Sequence, residues 1–330
     1  MSYIIFNEQR IDLDPDQTVL TALLSHGYEI PNNCRAGVCQ SCMMRALEGQ
    51  IPARAQQGLK DTYRDQGYFL ACSCTPETPL HVTNIEVNAL RCQATVVDHR
   101  PFAKDILHLR LTPDQAFDYR AGQYITVWKN SYIGRNYSLA SVAELDDSIE
   151  LHIRRVPGGI ISNWLHDEVK IGDKLSIQSA TGSCFYLPGS NRQNILLAGT
   201  GTGLAPLIGI ARDALSQGHQ GNIHLVHGAR QVDELYLHET LVDMALSHRQ
   251  FHYYANVLEA EQVMPPISMD SLEQQVMQVA NQPADWRIYL CGDERIVNIL
   301  KRNLFIAGAS MENIYTDPFI SASNVCGTTA

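Results

Sequence analysis

The spacing of cysteines near the N-terminus constrains this chain more than any other feature. Residues 34–42 read CRAGVCQSC, which places three cysteines in the pattern C-x4-C-x2-C. Thiolates packed this closely typically hold a metal, and a site closed by four cysteines needs one more ligand. Cys72 and Cys74, in FLACSCTP, both qualify by their place in the chain. The loop therefore predicts a metal centre completed by one of these two thiols.

The same spacing indicates which metal the loop holds. C-x4-C-x2-C followed by a distant cysteine is the plant-type [2Fe–2S] pattern. Ala36, Gly37 and Ser41 are small, so the loop can wrap tightly and aim backbone N–H groups at cluster sulfurs. Zinc, the alternative, usually takes two C-x2–4-C pairs, which this triplet fits poorly. We therefore expect a [2Fe–2S] cluster.

The remaining cysteines and the N-terminus bear on the compartment. The nine cysteines are odd in number and clustered, which favours metal ligands and buried thiols over a disulfide framework. The opening MSYIIFNEQRIDL alternates like a strand and shows no basic region followed by an apolar one, so no signal peptide is expected. Residues 195–211 carry no charge, but their glycines and proline suit a strand–helix turn better than a membrane span. A cytoplasmic protein without membrane insertion is predicted.

The charge balance limits the partners. A chain of 330 residues suggests two or three domains. It has 25 Lys and Arg against 35 Asp and Glu, a net charge of −10. Binding to phosphate backbones needs an excess of basic residues, so nucleic acid is not expected as a partner. The acidic balance is compatible with docking to a basic protein surface.

Three segments differ in their hydrophobic patterns, and we take them as domains. Residues 1–88 hold the cysteine loop between strand-like stretches. Residues 94–189 consist of short alternating runs separated by turns, which predicts an antiparallel barrel or sandwich. Residues 192–330 alternate apolar strands with helical stretches, which predicts a parallel, doubly wound sheet. The helical stretches of this last segment are 204–218, 234–246 and 294–309.

Two motifs in the second segment suit a flavin. In RNYS, Arg135 can neutralise a phosphate, the Tyr137 ring can pack on flexible flavin atoms, and the Ser138 hydroxyl can reach flavin N5. Downstream, HIRRVPGGIISNWL (152–165) offers a glycine turn and Ser162 near a helix start, where exposed N–H groups suit a pyrophosphate. Taken alone, RNYS is equally typical of a strand with an exposed arginine. Its position in the chain supports the flavin.

A glycine turn in the third segment suits a nucleotide. AGTGTGLAP (198–206) follows an apolar strand and opens a helix, and Pro206 fits a helix's first turn. The glycines let a phosphate-bearing ligand approach the backbone. The turn is not the G-x-G-x-x-G fingerprint, and no acid ends the next strand, which closes with HGAR. A tight strand–helix turn without a ligand therefore stays open as an alternative.

These motifs resemble known domains over nearly the whole chain. CRAGVCQSC followed by YFLACSCTPETPLHV resembles the plant-type ferredoxin domain. RNYS and GGIIS resemble the flavin and phosphate motifs of the ferredoxin–NADP⁺ reductase superfamily, although SATGSCF (179–185) replaces its usual Gly-Pro-x-Gly-x-Phe. The glycine turn, CGDERIVNILKRNLFIAGA and IYTDPF resemble the nicotinamide domain of that superfamily, although Asp293 and Glu294 replace a common Pro-Pro.

The resemblance implies a multi-domain α+β and α/β fold. Its parts would be a β-grasp ferredoxin domain, an antiparallel six-stranded flavin-binding β-barrel and a doubly wound parallel-sheet NAD(P)H-binding domain. It also implies site residues. The catalytic residues would be Ser138, Cys291 and Phe319. The cofactor-binding residues would be Arg135, Asn136, Tyr137, Ser138, His152, Arg154, Gly158, Gly159, Ser162, Thr200, Gly201, Thr202, Gly203, Arg230, Cys291, Gly292 and Phe319.

The resemblance also bears on the fourth cluster ligand. Leu70, Cys72 and Pro76 match the Leu-x-Cys-x-x-x-Pro pattern of plant-type ferredoxins. Cys42 and Cys72 have 29 residues between them, the gap of those ferredoxins, whereas Cys42 and Cys74 have 31. On an extended strand the two candidates would point to the same side, so orientation does not choose between them. The implied ligands are thus Cys34, Cys39, Cys42 and Cys72, with Cys74 as a small buried hydrophobe.

The order ferredoxin, flavin, nicotinamide resembles the reductase components of bacterial multicomponent mono- and dioxygenases. It implies an NADH-dependent oxidoreductase that passes electrons from NADH through FAD and a [2Fe–2S] cluster to an oxygenase hydroxylase component or its intermediary ferredoxin. NADPH and FMN are the alternative cofactors. Two other functions stay open: a reductase partner of a deoxysugar dehydratase, of the CDP-glucoseen reductase type, and a non-enzymatic electron carrier or regulatory protein. The retained RNYS, GTGTG and Cys291 argue against the last.

The charges after strand NIHLVHG favour NADH over NADPH. Arg230 is the single cation there, and Asp233 and Glu234 follow it closely. A 2′-phosphate would meet one cation and two acids, and like charges repel it. We therefore predict a preference for NADH.

Overall fold

The protein divides into two compact units, Met1–Ala89 and Leu90–Ala330. The structure is a computed structural model that describes residues 2–32, 37, 40, 42–84, 91–130, 133–189 and 191–319. Each unit has hydrophobic clusters of its own, one in the first unit and three in the second.

A five-stranded mixed sheet with a packed helix forms the first unit. Its elements are β1 (Tyr3–Phe6), β2 (Gln9–Asp12), α1 (Val19–Ser25), β3 (Met43–Glu48), α2 (Asp61–Asp65), β4 (Tyr68–Leu70) and β5 (Leu80–Asn84). The sheet order is β2-β1-β5-β3-β4. Thr18 caps α1 by accepting the Thr21 N–H, and the apolar face of α1 packs into the core with Ile4 and Phe6 of β1. This arrangement confirms the predicted β-grasp domain.

The second unit begins with an antiparallel six-stranded barrel. Its elements are β6 (Arg91–Ala103), β7 (Ile106–Pro113), β8 (Tyr124–Trp128), β9 (Gly134–Ser138), β10 (Ile149–Arg154), α3 (Ile160–Asp167) and β11 (Lys174–Gln178). The strand order is β10-β7-β6-β11-β8-β9, and a bridge between Leu139 and Leu151 brings the two ends of the order together. Alternate residues such as Leu151 and Ile153 point inward and are fully buried, as the period of two predicts.

A parallel six-stranded sheet completes the second unit. Its elements are β12 (Ile195–Thr200), α4 (Leu204–Ser216), β13 (Ile223–Ala229), α5 (His238–Ser247), β14 (Phe251–Val257), β15 (Ile267–Ser268), α6 (Leu272–Val279), β16 (Arg287–Asp293), α7 (Glu294–Ile306) and β17 (Ile314–Phe319). The order is β15-β14-β13-β12-β16-β17, with every pair parallel. Because the order reverses between β12 and β16, their carboxyl ends form the crevice where such sheets bind ligands. The predicted fold class is confirmed.

Local structure agrees with the sequence expectation at one place and differs from it at two. The uncharged stretch 195–211 is divided into β12, a 3₁₀ turn and the start of α4, and no helix of the described residues is long and apolar enough to cross a membrane. The helix expected over 234–246 begins only at His238, after Leu237 adopts a left-handed conformation. Helix α6, which has a capping box at Ser271, was not predicted.

The expected orientation of Cys72 and Cys74 was wrong. Residues Ala71–Ser73 form a 3₁₀ turn rather than an extended strand. With three residues per turn, positions two apart point in different directions. Cys72 is accordingly half-buried, whereas Cys74 is fully buried. Orientation therefore does distinguish the two thiols.

Candidate functional site

Two of the four predicted cluster ligands lie among the described residues, and they are neighbours. Cys34 and Cys39 lie outside the described residues. The Cys42 carbonyl accepts the Ala71 N–H at 3.0 Å, so the start of β3 is tied to the turn that carries Cys72. Burial raises the pKa of the Cys42 thiol to about 11; a hydrogen bond from the Cys72 backbone opposes this rise, and the Cys72 thiol adds to it. The fold thus brings these two thiols side by side.

Gly37, a described residue of the cysteine-rich segment, lies against that turn. Gly37 has φ +76°, and a Cβ at this position would lie 2.8 Å from Ser73 Oγ. Cys72 Sγ lies 3.6 Å from the same oxygen. Cys74, in contrast, lies in the apolar core, where its carbonyl accepts the Val19 N–H at 2.8 Å and burial raises the pKa of its thiol to about 12. Cys72 is therefore the candidate ligand beside the loop.

Strand β9, the last strand in the order of the barrel sheet, carries the RNYS motif. Arg135 pairs with Val127 and Tyr137 with Ile125 on β8, so both motif residues share the face of those two core side chains. Arg135 is exposed, while Tyr137 is largely buried, and this burial raises the pKa of its phenol. Asn136 faces the other way and accepts a hydrogen bond from the Thr126 hydroxyl at 2.8 Å. The exposed Arg135 beside a buried aromatic ring fits a phosphate-bearing, planar ligand.

The start of α3 has the geometry of a phosphate site. Gly158 has φ +70°, a backbone conformation that favours glycine. Gly159 is the N-cap, and a Cβ there would lie 2.6 Å from Ser162 Oγ. The Ser162 hydroxyl accepts the Val156 N–H at 3.1 Å, and no described side chain caps the helix start. The first-turn N–H groups and the helix dipole therefore suit an anion, as the flavin pyrophosphate requires.

The glycine turn after β12 fits between two strand ends. Gly201–Gly203 form a 3₁₀ turn with Thr202 at its centre, and α4 begins directly after it. A Cβ on Gly203 would collide with the Cys291 carbonyl. A Cβ on Gly292, which has φ +116°, would lie 2.7 Å from the Thr200 carbonyl oxygen. Only glycine permits this approach, which brings the turn and the Cys-Gly motif to one crevice.

Arg154 lies against this turn from the barrel side. A Cβ on Gly201, which has φ +53°, would lie 3.0 Å from Arg154 Cζ. The Arg154 guanidinium forms an ion pair with Asp105, whose carboxylate oxygen lies 3.3 Å from Nε without hydrogen-bond geometry. The predicted cofactor residues Arg154 and Gly201 are thus brought together, with positive charge at the turn.

Ser138, Cys291 and an unpredicted acid converge where the barrel meets the parallel sheet. The Ser138 hydroxyl donates to Asp317 Oδ2 at 2.8 Å. Asp317 is paired with Cys291 in the register of β16 and β17, and burial raises the pKa of its carboxyl despite this hydrogen bond. Cys291 is 1% exposed, and burial together with a hydrogen bond to Cys184 raises the pKa of its thiol. Phe319, two residues after Asp317, is half-buried at the end of β17.

The sequence contained a signal for Asp317. It is the only acid in IYTDPF, the strand singled out for Phe319. An ionisable side chain in a strand that is otherwise packed against a core needs a partner or a function. The partner, Ser138, lies 179 positions away in the chain, so the hydrogen bond itself depends on the fold.

His152 is engaged by protein groups rather than facing a ligand. Its Nε2 lies 2.9 Å from Glu150 Oε1 and its Nδ1 lies 3.1 Å from the Tyr236 hydroxyl. The ring is fully buried, and both of its nitrogens have protein partners, so the cofactor-binding role of His152 stays a prediction. Burial opposes ionisation of Glu150, but hydrogen bonds from His108 and His152 outweigh it and hold the pKa of Glu150 below its usual value.

This network connects the barrel to the sheet. Tyr236 lies in the loop before α5, and its ring meets the edge of His227 at 5.8 Å between centroids. His227 is on β13, where burial lowers its pKa to about 3 although the backbone of Gly201 acts in the opposite direction. The buried chain Glu150–His152–Tyr236 thus runs from β10 to the loop before α5.

Three family models match the chain in succession. The 2Fe-2S iron-sulfur cluster binding domain matches residues 5–77, the oxidoreductase FAD-binding domain matches residues 93–186, and the oxidoreductase NAD-binding domain matches residues 197–302. The reductase subunit of an aromatic O-demethylase from Amycolatopsis sp. is 34% identical over 258 residues, which cover 74% of this chain and 77% of that protein. The chain belongs to the family of iron–sulfur flavoprotein reductase components. These three family models confirm the predicted cofactors, which are a [2Fe–2S] cluster, FAD and NAD.

Other members of this reductase family match almost end to end. The ferredoxin–NAD(P)⁺ reductase component of a naphthalene 1,2-dioxygenase system from Pseudomonas putida is 29% identical and covers 95% of this chain and 96% of its own. A crystal structure of the Amycolatopsis cytochrome P450 reductase GcoB has a TM-score of 0.67 and 28% identity, and covers 98% of this chain and 100% of its own. The chain is thus an oxidoreductase with an iron–sulfur, an FAD-binding and an NAD-binding domain.

Proposed function

We propose that this chain is an NADH-dependent reductase component that passes electrons from NADH, through FAD and the [2Fe–2S] cluster, to an oxygenase component or its ferredoxin. The hydrogen bond between Ser138 and Asp317 is the observation that carries the proposal. It joins the end of the flavin motif to the strand beside Cys291. The flavin and nicotinamide motifs therefore meet at one buried point of the second unit.

The residues around that point fit both organic cofactors. The flavin phosphates would be held by Arg135 and by the α3 start at Gly158, Gly159 and Ser162. The nucleotide phosphates would be held at the turn Thr200, Gly201, Thr202 and Gly203, with Arg154 beside it. When bound, FAD supplies the conversion of a two-electron hydride donor into single electrons for the cluster.

The side chains at this point have separable tasks. Asp317 accepts from the Ser138 hydroxyl and fixes its direction, so that Ser138 is oriented before the reaction begins. Cys291 stays a neutral thiol because its pKa is raised, and it offers a polarisable surface rather than a charge. Burial of Ser138 and Cys291 excludes water from a transferred hydride.

The cluster would be held by Cys34, Cys39, Cys42 and Cys72. The contact of Cys42 with Cys72, and the proximity of Gly37 to Ser73, support this set over one with Cys74. Four cysteine thiolates are the ligands that a [2Fe–2S] cluster requires. Its place in a separate unit suits a module that hands electrons to another protein.

The names of the relatives support an oxygenase partner. They are reductase components for naphthalene 1,2-dioxygenase, phenol 2-monooxygenase and terephthalate 1,2-dioxygenase, among others. The proposal extends this partner class, an oxygenase or its ferredoxin, to the present chain. The thiol-rich cluster and the nicotinamide donor also favour a cytoplasmic location.

Purified holoprotein tests the proposal. Flavin and iron are counted per chain, and NADH is added without oxygen while absorbance is followed. Bleaching of both the flavin and the cluster bands, followed by reduction of an added plant-type ferredoxin, is expected. The control is the same protein after its flavin has been removed, which should leave the ferredoxin oxidised. Failure of NADH to bleach the flavin in fully loaded protein would overturn the proposal.

A further inference from the structure

The rim formed by the carboxyl ends of β13 and β14 carries a side-chain arrangement that the sequence motifs did not reveal. The two strands end in register, with Ala229 opposite Val257. Arg230 follows directly, and its carbonyl accepts the Glu259 N–H at 2.9 Å. This backbone bond fixes the loop after β14 against the end of β13. Arg230 and Glu259 are therefore held next to each other on the rim.

Two donors hold the Glu259 carboxylate. Arg230 Nε lies 3.0 Å from one oxygen, and Gln231 Nε2 lies 3.3 Å from the other. The hydrogen bonds from Arg230 and then Gln231 lower the pKa of Glu259, so the side chain is ionised at neutral pH. Both members of the ion pair are half exposed or more, and exposed pairs contribute little to stability. The pair therefore contributes little to folding, and it leaves an oriented Glu259 carboxylate accessible on the rim.

The position of this pair fits the adenosine half of a dinucleotide. The glycine turn at the end of β12 is the phosphate site, and β13 and β14 are the next two strands on that side. Neighbouring strands are about 4.8 Å apart, so the end of β14 is about 10 Å from the turn. An adenosine attached to the pyrophosphate spans such a distance.

The chemistry of the pair distinguishes two nucleotides. In dinucleotide-binding sheets an acid near the second strand accepts a hydrogen bond from the ribose 2′-hydroxyl, and an arginine accommodates a 2′-phosphate. Here the second strand ends at Ala229 and is followed by Arg230, and the acid comes from the loop after the third strand. Glu234, whose carboxylate accepts the Arg230 N–H at 3.4 Å, adds a second negative charge. Arg230, the cation on this rim, is therefore already neutralised by Glu259 and Glu234.

Resting on the proposed function, we propose that Glu259 is the residue that selects NADH over NADPH. Its carboxylate accepts a hydrogen bond from the adenosine 2′-hydroxyl of NADH and repels the 2′-phosphate of NADPH. Arg230 and Gln231 position this carboxylate, and the ion pair keeps Arg230 from binding a phosphate.

Glu259→Gln tests this assignment, because it removes the charge and keeps the shape. Values of kcat/KM for NADH and NADPH are measured with one ferredoxin as acceptor. The variant should lose efficiency with NADH and gain it with NADPH, because Arg230 is released, and the ratio should move by about tenfold to a hundredfold. Glu261→Gln is the matched control, since Glu261 is also exposed and carries the same charge two positions away. Its ratio should equal that of the wild type.

The outcomes separate this inference from the proposed function. An unchanged ratio in Glu259→Gln, or an equal shift in Glu261→Gln, would overturn the role of Glu259 while NADH-driven turnover stands. A wild-type preference for NADPH would overturn it as well. Wild-type flavin that NADH does not bleach would reject the proposed function and the inference together. Flavin and iron are counted per chain in each variant to verify that both units are intact.

Discussion

Replacing Asp317 with alanine should slow the reduction of the flavin by NADH without weakening NADH binding. The change removes the only acceptor that the described residues provide for the Ser138 hydroxyl, at 2.8 Å. Ser138 is then free to rotate away from the direction that the bond imposes. Asp317 lies on β17, two strands away from β12 and the turn at Gly201, so the change removes no residue of the phosphate site.

The expected size of the effect follows from burial. Hydrogen bonds to a charged group contribute about 1.5–3 kcal/mol, and more of this is retained where water cannot replace the partner. Ser138 is 7% exposed. Each 1.36 kcal/mol corresponds to a tenfold change in rate, so Asp317→Ala should slow the limiting rate by about tenfold to a hundredfold. Asp317→Asn keeps an acceptor without the charge. It should lose about 1 kcal/mol of this stabilisation, which slows the limiting rate roughly fivefold.

Anaerobic stopped-flow absorbance measures this rate directly. A series of NADH concentrations separates the limiting rate from the dissociation constant, which should stay near the wild-type value. Burial raises the pKa of Asp317, so the strong ionised acceptor forms at higher pH than for an ordinary carboxyl. The wild-type limiting rate should therefore rise as pH increases through this raised pKa, and the Asp317→Asn rate should not.

Glu312→Ala provides the control, because Glu312 is an exposed carboxylate just before β17. It should reduce its flavin at the wild-type rate. A wild-type limiting rate in Asp317→Ala, with full flavin content, would show that the bond to Ser138 does not prepare the site. A loss confined to NADH affinity would also contradict the reasoning.

Three further predictions concern the flavin, the cluster and the buried network. Arg135→Ala should lower flavin per chain but leave iron unchanged, because a charge-assisted phosphate contact contributes about 1.5–3 kcal/mol; unchanged flavin content would exclude this role. Cys72→Ser should lose the EPR signal of the cluster, whereas Cys74→Ser should keep it, and the reverse pattern would move the fourth ligand to Cys74. Glu150→Gln should lower the free energy of unfolding at neutral pH by about 1–3 kcal/mol. Because the pKa of Glu150 lies below its usual 4.5, this deficit should shrink as pH falls below 4.5. The measurement is the temperature at which flavin is released, taken at several pH values, and a deficit that stays constant at low pH would contradict the prediction.

The sequence predicted those features that depend on local pattern. The cysteine spacing indicated the cluster, and the change from alternating runs to strand–helix units indicated a barrel followed by a parallel sheet. Both signals arise from residues that are close in the chain. The same holds for the glycine turn at Gly201–Gly203, whose place between β12 and α4 follows from its flanking segments.

Features that depend on distant partners could not be predicted in this way. The bond of Ser138 to Asp317, and that of Arg230 to Glu259, each require the strand order of the folded sheet. His152 was assigned to a cofactor because its motif is adjacent to the phosphate turn, but the fold gives both ring nitrogens to protein partners. The orientation of Cys72 depended on one 3₁₀ turn, where a small change in backbone angles redirects the side chain.

The order in which the two redox centres are reduced tests the central claim most directly. Wild-type protein is mixed with one equivalent of NADH without oxygen, and samples frozen at successive times are examined by absorbance and EPR. The flavin should be reduced first, and the EPR signal of a reduced [2Fe–2S] cluster should then appear as the flavin is partly reoxidised. A cluster that stays oxidised while the flavin is fully reduced, or one that is reduced before the flavin, would contradict transfer from NADH through flavin to cluster.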